Sequence, residues 1–231
     1  METLSARPPV AVLGDDARAA FITRVYIHLF GAILLFAGIE YLLFASGLAV
    51  PMAEAMLGVN WLLVLGAFMI VGTFADRVAA RAETKAAQYG ALIGFVAAEA
   101  VIFVPLLVLA AYYTQDPGVI GKAAWITILG FGGLTAIALT TKKDFSFLGS
   151  MLKWAFILAI VAIVAAVLFG FELGTWFSVA MIGLAGASIL YQTSNVLLHY
   201  PEDRYVAASL ALFSSVALMF WYVLRLFMSR D

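Results

Sequence analysis

The sequence contains no cysteine, so disulfides, thiolate metal sites and cysteine nucleophiles are excluded. Charge is nearly as scarce: Asp, Glu, Lys and Arg make up 12% of the 231 residues, against 65% hydrophobic, and the mean hydropathy is +1.06. A water-soluble core cannot use that much apolar surface. The formal net charge of −1 lacks the basic excess that nucleic acid attracts, so no such partner is expected. His28 and His199 are the only histidines, too few and too far apart to read as a metal centre. HExxH, P-loop and dinucleotide-binding patterns are missing. The first twenty residues, with Pro8, Pro9, Asp15, Asp16 and Arg18, show no secretory signal and read as a flexible tail.

What the chain has is long apolar runs. Seven can be drawn, over residues 24–46, 57–75, 86–113, 119–140, 151–170, 176–198 and 205–228, each near the roughly 20 residues that cross a bilayer. Backbone in lipid must satisfy its own hydrogen bonds, so helices are the natural reading; a β-barrel would show short alternating segments. The expected fold is therefore all-α and integral to the membrane. It has a 1–23 N-terminal tail, a 24–228 seven-helix domain and a 229–231 C-terminal tail. The short connection 199–204 forces the last two helices to be antiparallel neighbours.

Orientation follows from Lys and Arg. Arg7, Arg18, Arg24, Arg77, Arg81, Lys85, Lys142, Lys143, Lys153 and Arg204 fall on the side of the N-terminus, and Lys122, Arg225 and Arg230 on the other. That bias places the N-terminus in the cytoplasm and, after seven spans, the C-terminus outside. Tyr112, Tyr113, Trp125, Trp154, Trp176 and Trp221 lie near span ends, where amphipathic rings favour headgroups. The pairs Gly90/Gly94, Gly132/Ala136 and Gly183/Ala187 have the four-residue spacing of close helix contacts, although small residues are common in membrane helices generally.

Few residues could carry chemistry. Glu99 lies near the midpoint of the third run, where an ionised carboxylate costs several kcal/mol unless paired, protonated or facing water. It reads as a proton-sensing or cation-contacting group, or as a neutral acid bonded to a neighbouring helix. Glu40, six residues before Ser46, is about 9 Å from that end and within reach of the interface. Ser188, Gln192, Asn195 and His199 follow i, i+4, i+7 and i+11, so they share one face of the sixth span. That face would line a polar path or an interhelical hydrogen-bond network. Ser188 and His199 cannot form a hydrolytic pair: eleven residues on one helix set them about 16 Å apart. The chain is not expected to be an enzyme, and no matching broken helices suggest a transporter.

Residues 188–213, which include Tyr191-Gln192-Thr193-Ser194-Asn195 and Pro201-Glu202-Asp203-Arg204, resemble the last two helices of the Bax inhibitor-1 family. Thr141-Lys142-Lys143-Asp144-Phe145-Ser146-Phe147-Leu148-Gly149 is similar to that family's loop between spans four and five. The likeness extends from Arg24 onward and is nearest the bacterial YccA-like branch. It implies six helices around a central seventh, in the inner membrane of the cell. It also implies two functions: YccA-like members bind and restrain the membrane-anchored protease FtsH, and other members are pH-sensitive calcium leak channels. No cofactor is implied, and Ca2+ would enter only as a transported ion.

Carrying the channel residues across exposes a conflict. The family's paired gating aspartates fall on Gln192 and Ser215, and the associated arginine on Arg77. Glutamine and serine cannot titrate as a coupled acid pair. If pH dependence survives, Glu99 is the candidate titrating group, because burial alters a carboxyl group's proton affinity. The hinge Pro201-Glu202-Asp203-Arg204 suits a helix N-terminus on local grounds. Its alternative role is a latch in which Asp203 or Arg204 pairs with Arg77 or Asp144. The expected function is regulation of an FtsH-type protease by binding, with a cation leak as the second reading.

Overall fold

A computed structural model describes residues 8–229, all of them helix or connection apart from a single bridge between Pro9 and Pro201. The helices are α1 (Asp15–Ala45), α2 (Ala49–Leu57), α3 (Trp61–Arg81), α4 (Lys85–Tyr112), α5 (Val119–Thr141), α6 (Leu148–Phe169), α7 (Gly174–Leu198) and α8 (Tyr205–Met228). All but α2 are long and apolar enough to cross a membrane. The expected seven spans are therefore present as an all-helical integral membrane fold. Arg7 and Arg230, two of the charges counted for orientation, lie outside the described residues.

Local chemistry sets several boundaries. Asn60 Oδ1 accepts the Leu62 N–H at 2.9 Å, capping α3, and Thr84 Oγ1 accepts the Ala87 N–H at 3.3 Å, capping α4, as short polar side chains do at helix starts. Helix α6 ends at Gly170, whose φ of 69° is a left-handed conformation that glycine adopts without a Cβ penalty.

Helix α8 packs against α1, α3, α4, α5 and α7 and is buried over two thirds of its apolar window, as a central last helix requires. Helix α4 is buried to the same extent, so the interior holds two helices. Phe95, Val96, Leu210, Leu212 and Phe213 form a continuous core with Phe21, Val25 and Leu29 of α1. Helices α3 and α6 are the least buried spans, and α6 packs mainly on α7.

Several expectations need correction. Residues 8–23 are not a flexible tail. Val10 is fully buried, its N–H bonds the Tyr200 carbonyl at 2.9 Å, and α1 begins at Asp15, nine residues before the expected span. Helix α2 went unforeseen because nine residues cannot span; Ala49 and Ala53 pack instead on Val104 and Val108 of α4. The glycines chosen by spacing make no close contact: a Cβ added at Gly90, Gly94, Gly132 or Gly183 would meet nothing within 4 Å. Close approach occurs at Gly149, where a Cβ would stand 2.9 Å from the Tyr191 ring, and at Gly186, 3.2 Å from Leu134. Spacing of small residues does not say which face meets a neighbour, and those faces point outward. Tyr112, Tyr113, Trp125, Trp154 and Trp176 are exposed as expected of interfacial rings. Trp221 is not among them: it stacks on Trp61 at 6.2 Å and meets Phe103 edge-on at 4.9 Å.

A one-sided cleft ending at a buried acid

The two ends of the bundle differ. At one, the hinge end, the N-terminal segment meets the α7–α8 connection through Pro9 and Pro201. At the other, the mouth end, Thr175 at the start of α7 lies 3.5 Å from Ser229 beyond α8, hydroxyl to hydroxyl. A cleft of about 1030 Å³ opens at the mouth end, rimmed by Glu172, Thr175, Arg225 and Ser229, and runs between α3, α4, α6, α7 and α8 to the middle of the bundle. Its floor carries Glu99, Ser188, Ser214 and Ser215. Below that floor the packed core around Phe95, Val96, Leu210 and Phe213 closes the bundle toward the hinge end.

Glu99 is 6% exposed and lines the cleft. An acid so placed has water or a cation as its available partners on the cleft side. Beside it Ser188 Oγ and Ser215 Oγ lie 2.9 Å apart, and Ser215 also donates to the Ala211 carbonyl at 3.1 Å. Each hydroxyl has one proton, so Ser188 is the donor within the pair. This contact joins α7 to α8 through Ser215, one of the two positions the family resemblance assigned to the gating acids.

The partner of Ser215 is thus Ser188, and Gln192 is not on the cleft wall. One turn separates Ser188 from Gln192, and the approach of α7 to α8 selects the earlier residue. Gln192 and Asn195 are half-buried nearer the hinge end and His199 is exposed, so the four-residue stripe divides between the cleft floor and the hinge surface. Glu40 does not reach the interface either. It is 7% exposed with both carboxyl oxygens enclosed and without a hydrogen-bond partner. His28 bonds Tyr89 through Nε2 at 2.7 Å and packs on Tyr205 at 4.9 Å.

The latch residues part company. Among the described residues the ion pairs are Lys122–Asp116 and Arg204–Asp203, so neither Arg77 nor Asp144 forms an ion pair with Asp203 or Arg204. Arg77 is exposed. The Ser146 backbone N–H bonds Asp144 Oδ1 at 2.8 Å and holds its carboxyl below the usual carboxylate range. A different fastening does the job. Arg204 Nη1 donates to the Ala82 carbonyl at 2.6 Å, and Lys85 Nζ donates to the Asp203 carbonyl and lies 3.9 Å from the centre of the Tyr205 ring. Backbone carbonyls of the α3–α4 turn and the hinge supply the acceptors, which residue charge alone does not reveal.

The two signature segments meet one another. The Phe145 N–H donates to Ser194 Oγ at 3.0 Å, Ser194 Oγ donates to the Lys143 carbonyl at 3.3 Å, and the Tyr191 ring sits against Gly149. These residues position the α5–α6 loop on α7. Ser214 and Arg225, also on the cleft wall, were missed by sequence reasoning, although two adjacent serines in so apolar a helix were a visible signal.

A polytopic helical membrane protein with a buried acid at the base of a one-sided cleft is the class these features define. The chain belongs to the Bax inhibitor-1 family: the family described as "Inhibitor of apoptosis-promoting Bax1" matches residues 18–231. It is 35% identical over 112 residues to the uncharacterized protein PA2604 of Pseudomonas aeruginosa, covering 47% of this chain and 49% of that one. It is 34% identical over 128 residues to the modulator of FtsH protease YccA of Escherichia coli K12, covering 54% and 58%. A BI1-like protein of Arabidopsis thaliana is 33% identical over 118 residues, covering 48% and 45%. The chain spans about half the length of the curated relatives it matches, and the YccA similarity supports the YccA-like branch.

Proposed function

We propose that this protein is a non-enzymatic regulator of an FtsH-type membrane protease, acting by binding within the inner membrane with its N-terminus in the cytoplasm. The similarity to a modulator of FtsH protease supports the reading. The structural observation that carries it is the Ser188–Ser215 hydroxyl pair at 2.9 Å. A gate built on coupled carboxylates needs two groups that exchange a proton, whereas a binding regulator needs only stable helix surfaces. The hinge end is also well fastened, through Val10, Lys85 and Arg204, and presents the basic side that the Lys and Arg bias assigns to the cytoplasm.

The test is affinity purification of the full chain from membranes together with FtsH, and the turnover of an FtsH membrane substrate with and without it. Copurification with slowed turnover is expected. Unchanged turnover and no association would overturn the reading.

One observation favours a cation leak as the second reading: Glu99 stands at the base of a cleft open at one end. Calcium flux into liposomes holding only the purified chain, for wild type and Glu99→Gln between pH 6 and 8, separates the two. The regulator predicts no flux in either, and a leak predicts flux that Glu99→Gln changes.

A further inference from the structure

We propose that the cleft is a lipid site: it takes one acyl chain of a phospholipid from the leaflet in which α8 ends, with the lipid phosphate on Arg225 and a headgroup ammonium on Glu172. The rim supplies the charge argument. Arg225 is half-buried and takes part in neither of the ion pairs found among the described residues, and a guanidinium in that state suits a phosphate, which it can bind in bidentate fashion. Glu172 is exposed on the same rim. Together they present one positive and one negative group, the complement of a zwitterionic phosphate–ammonium headgroup. Thr175 adds a hydroxyl donor on the same rim, whereas the Ser229 hydroxyl already donates to the Leu226 carbonyl at 2.8 Å.

The interior supplies the chain argument. Between rim and floor the walls are apolar, with Phe156, Ile160 and Leu218 among them. From Arg225 to Ser215 is ten residues of one helix, about 15 Å, which is half of the roughly 30 Å hydrocarbon thickness and so the depth of one leaflet. The flank is accessible from the bilayer, because α3 and α6 line opposite sides of the cleft and have little contact with each other. Water would find few partners against such walls. A chain entering sideways fills the space and stops above Glu99 and the serines.

Native mass spectrometry of the detergent-purified full chain tests this with phosphatidylethanolamine, phosphatidylglycerol and diacylglycerol of identical chains. One phosphatidylethanolamine should be retained per chain, ahead of phosphatidylglycerol, with diacylglycerol weakest. Arg225→Gln should weaken phosphatidylethanolamine retention by about tenfold or more, the scale of one charge-assisted hydrogen bond, and Arg225→Lys should recover part of it. Glu172→Gln should abolish the preference over phosphatidylglycerol. Ala159→Trp, which projects into the cleft wall, should empty the site. Diacylglycerol binding as well as the phospholipids, or wild-type retention in Arg225→Gln, would overturn the proposal. Should Ala159→Trp fail to fold, a hydrophobic carbodiimide on the wild type replaces it: phosphatidylethanolamine should slow labelling of Glu99, and labelling indifferent to lipid would equally overturn it.

Discussion

Replacing Glu40 by methionine should stabilise the protein. On α1, Glu40 lies one turn from Phe36 and one from Phe44, on the face that i, i+4 spacing defines. Phe36 meets Phe103 edge-on at 5.1 Å and Phe44 stacks on Tyr112 at 6.3 Å, so the carboxyl group is held at the α1–α4 contact between aromatic pairs. Both its oxygens are enclosed without a partner. A buried polar group left unsatisfied costs about 1–3 kcal/mol, and methionine fills a similar length with no polar oxygen while adapting to irregular space. Removing the penalty should raise stability by about 1–3 kcal/mol, or about 2–4 °C in Tm per kcal/mol for a chain of this size. Glu40→Gln leaves a polar group in the same enclosure and should shift Tm by little. The measurement is the thermal midpoint of monodisperse protein in a single detergent, for wild type and both variants. A fall in Tm for Glu40→Met with Glu40→Gln unchanged would refute the reasoning, since it would mean that the polar end makes a stabilising contact.

Other consequences can be measured in the same material. Ser188→Ala and Ser215→Ala should each cost about 1 kcal/mol and the double variant little more, because they break one shared bond; additive losses in Tm would argue against the pair. Gly149→Ala should destabilise by about 1–3 kcal/mol through overpacking against Tyr191, with Tyr191→Ala relieving part of the loss in the double variant. Burial pushes the Tyr200 hydroxyl up to about 12 from its ordinary value of 10.0. The folded state therefore holds that proton more tightly than the unfolded state. Its contribution is fully present below pH 10 and is lost as the pH rises from 10 toward 12. Tyr200→Phe should flatten that part of a stability-versus-pH curve, and an unchanged slope would sink the assignment.

How much of this was legible in the sequence depends on the distance over which each cause acts. The spans follow from composition along a single helix, so their number and the buried position of Glu99 could be read directly. Side-chain partners across helices could not. Ser188 and Ser215 were both singled out, one from periodicity and one from resemblance, yet the resemblance paired Ser215 with Gln192. A pairing between helices is fixed by their relative height and rotation, and one turn, about 5.4 Å, changes the partner. The same limit explains the glycines. Gly149 matters because Tyr191, 42 positions further along the chain, comes to rest on it, whereas Gly90 and Gly94 satisfy a spacing rule on a face with no neighbour. The hinge fastening escaped because its acceptors are main-chain carbonyls of Ala82 and Asp203, which every residue possesses.

The position of the seal decides what an open pathway would require. Below Glu99 the core contains Phe95 and Phe213, whose rings meet edge-on at 6.2 Å, and beside them Val96, Leu210 and Leu212, each less than 2% exposed. These side chains come from α4 and α8, the two most buried spans. Rotating one ring cannot make a continuous path through several enclosed layers; α8 itself would have to tilt against α4. Its hinge is held from three sides, by Val10 on the Tyr200 carbonyl, Arg204 on the Ala82 carbonyl and Lys85 on the Asp203 carbonyl. Any leak should therefore respond to cutting those fastenings more than to changing Ser188 or Ser215. In liposomes, deletion of residues 1–13 combined with Arg204→Gln should raise calcium flux if a conducting state exists. Flux that stays at the level of empty vesicles, with the protein still monodisperse, would leave binding regulation as the function this bundle supports.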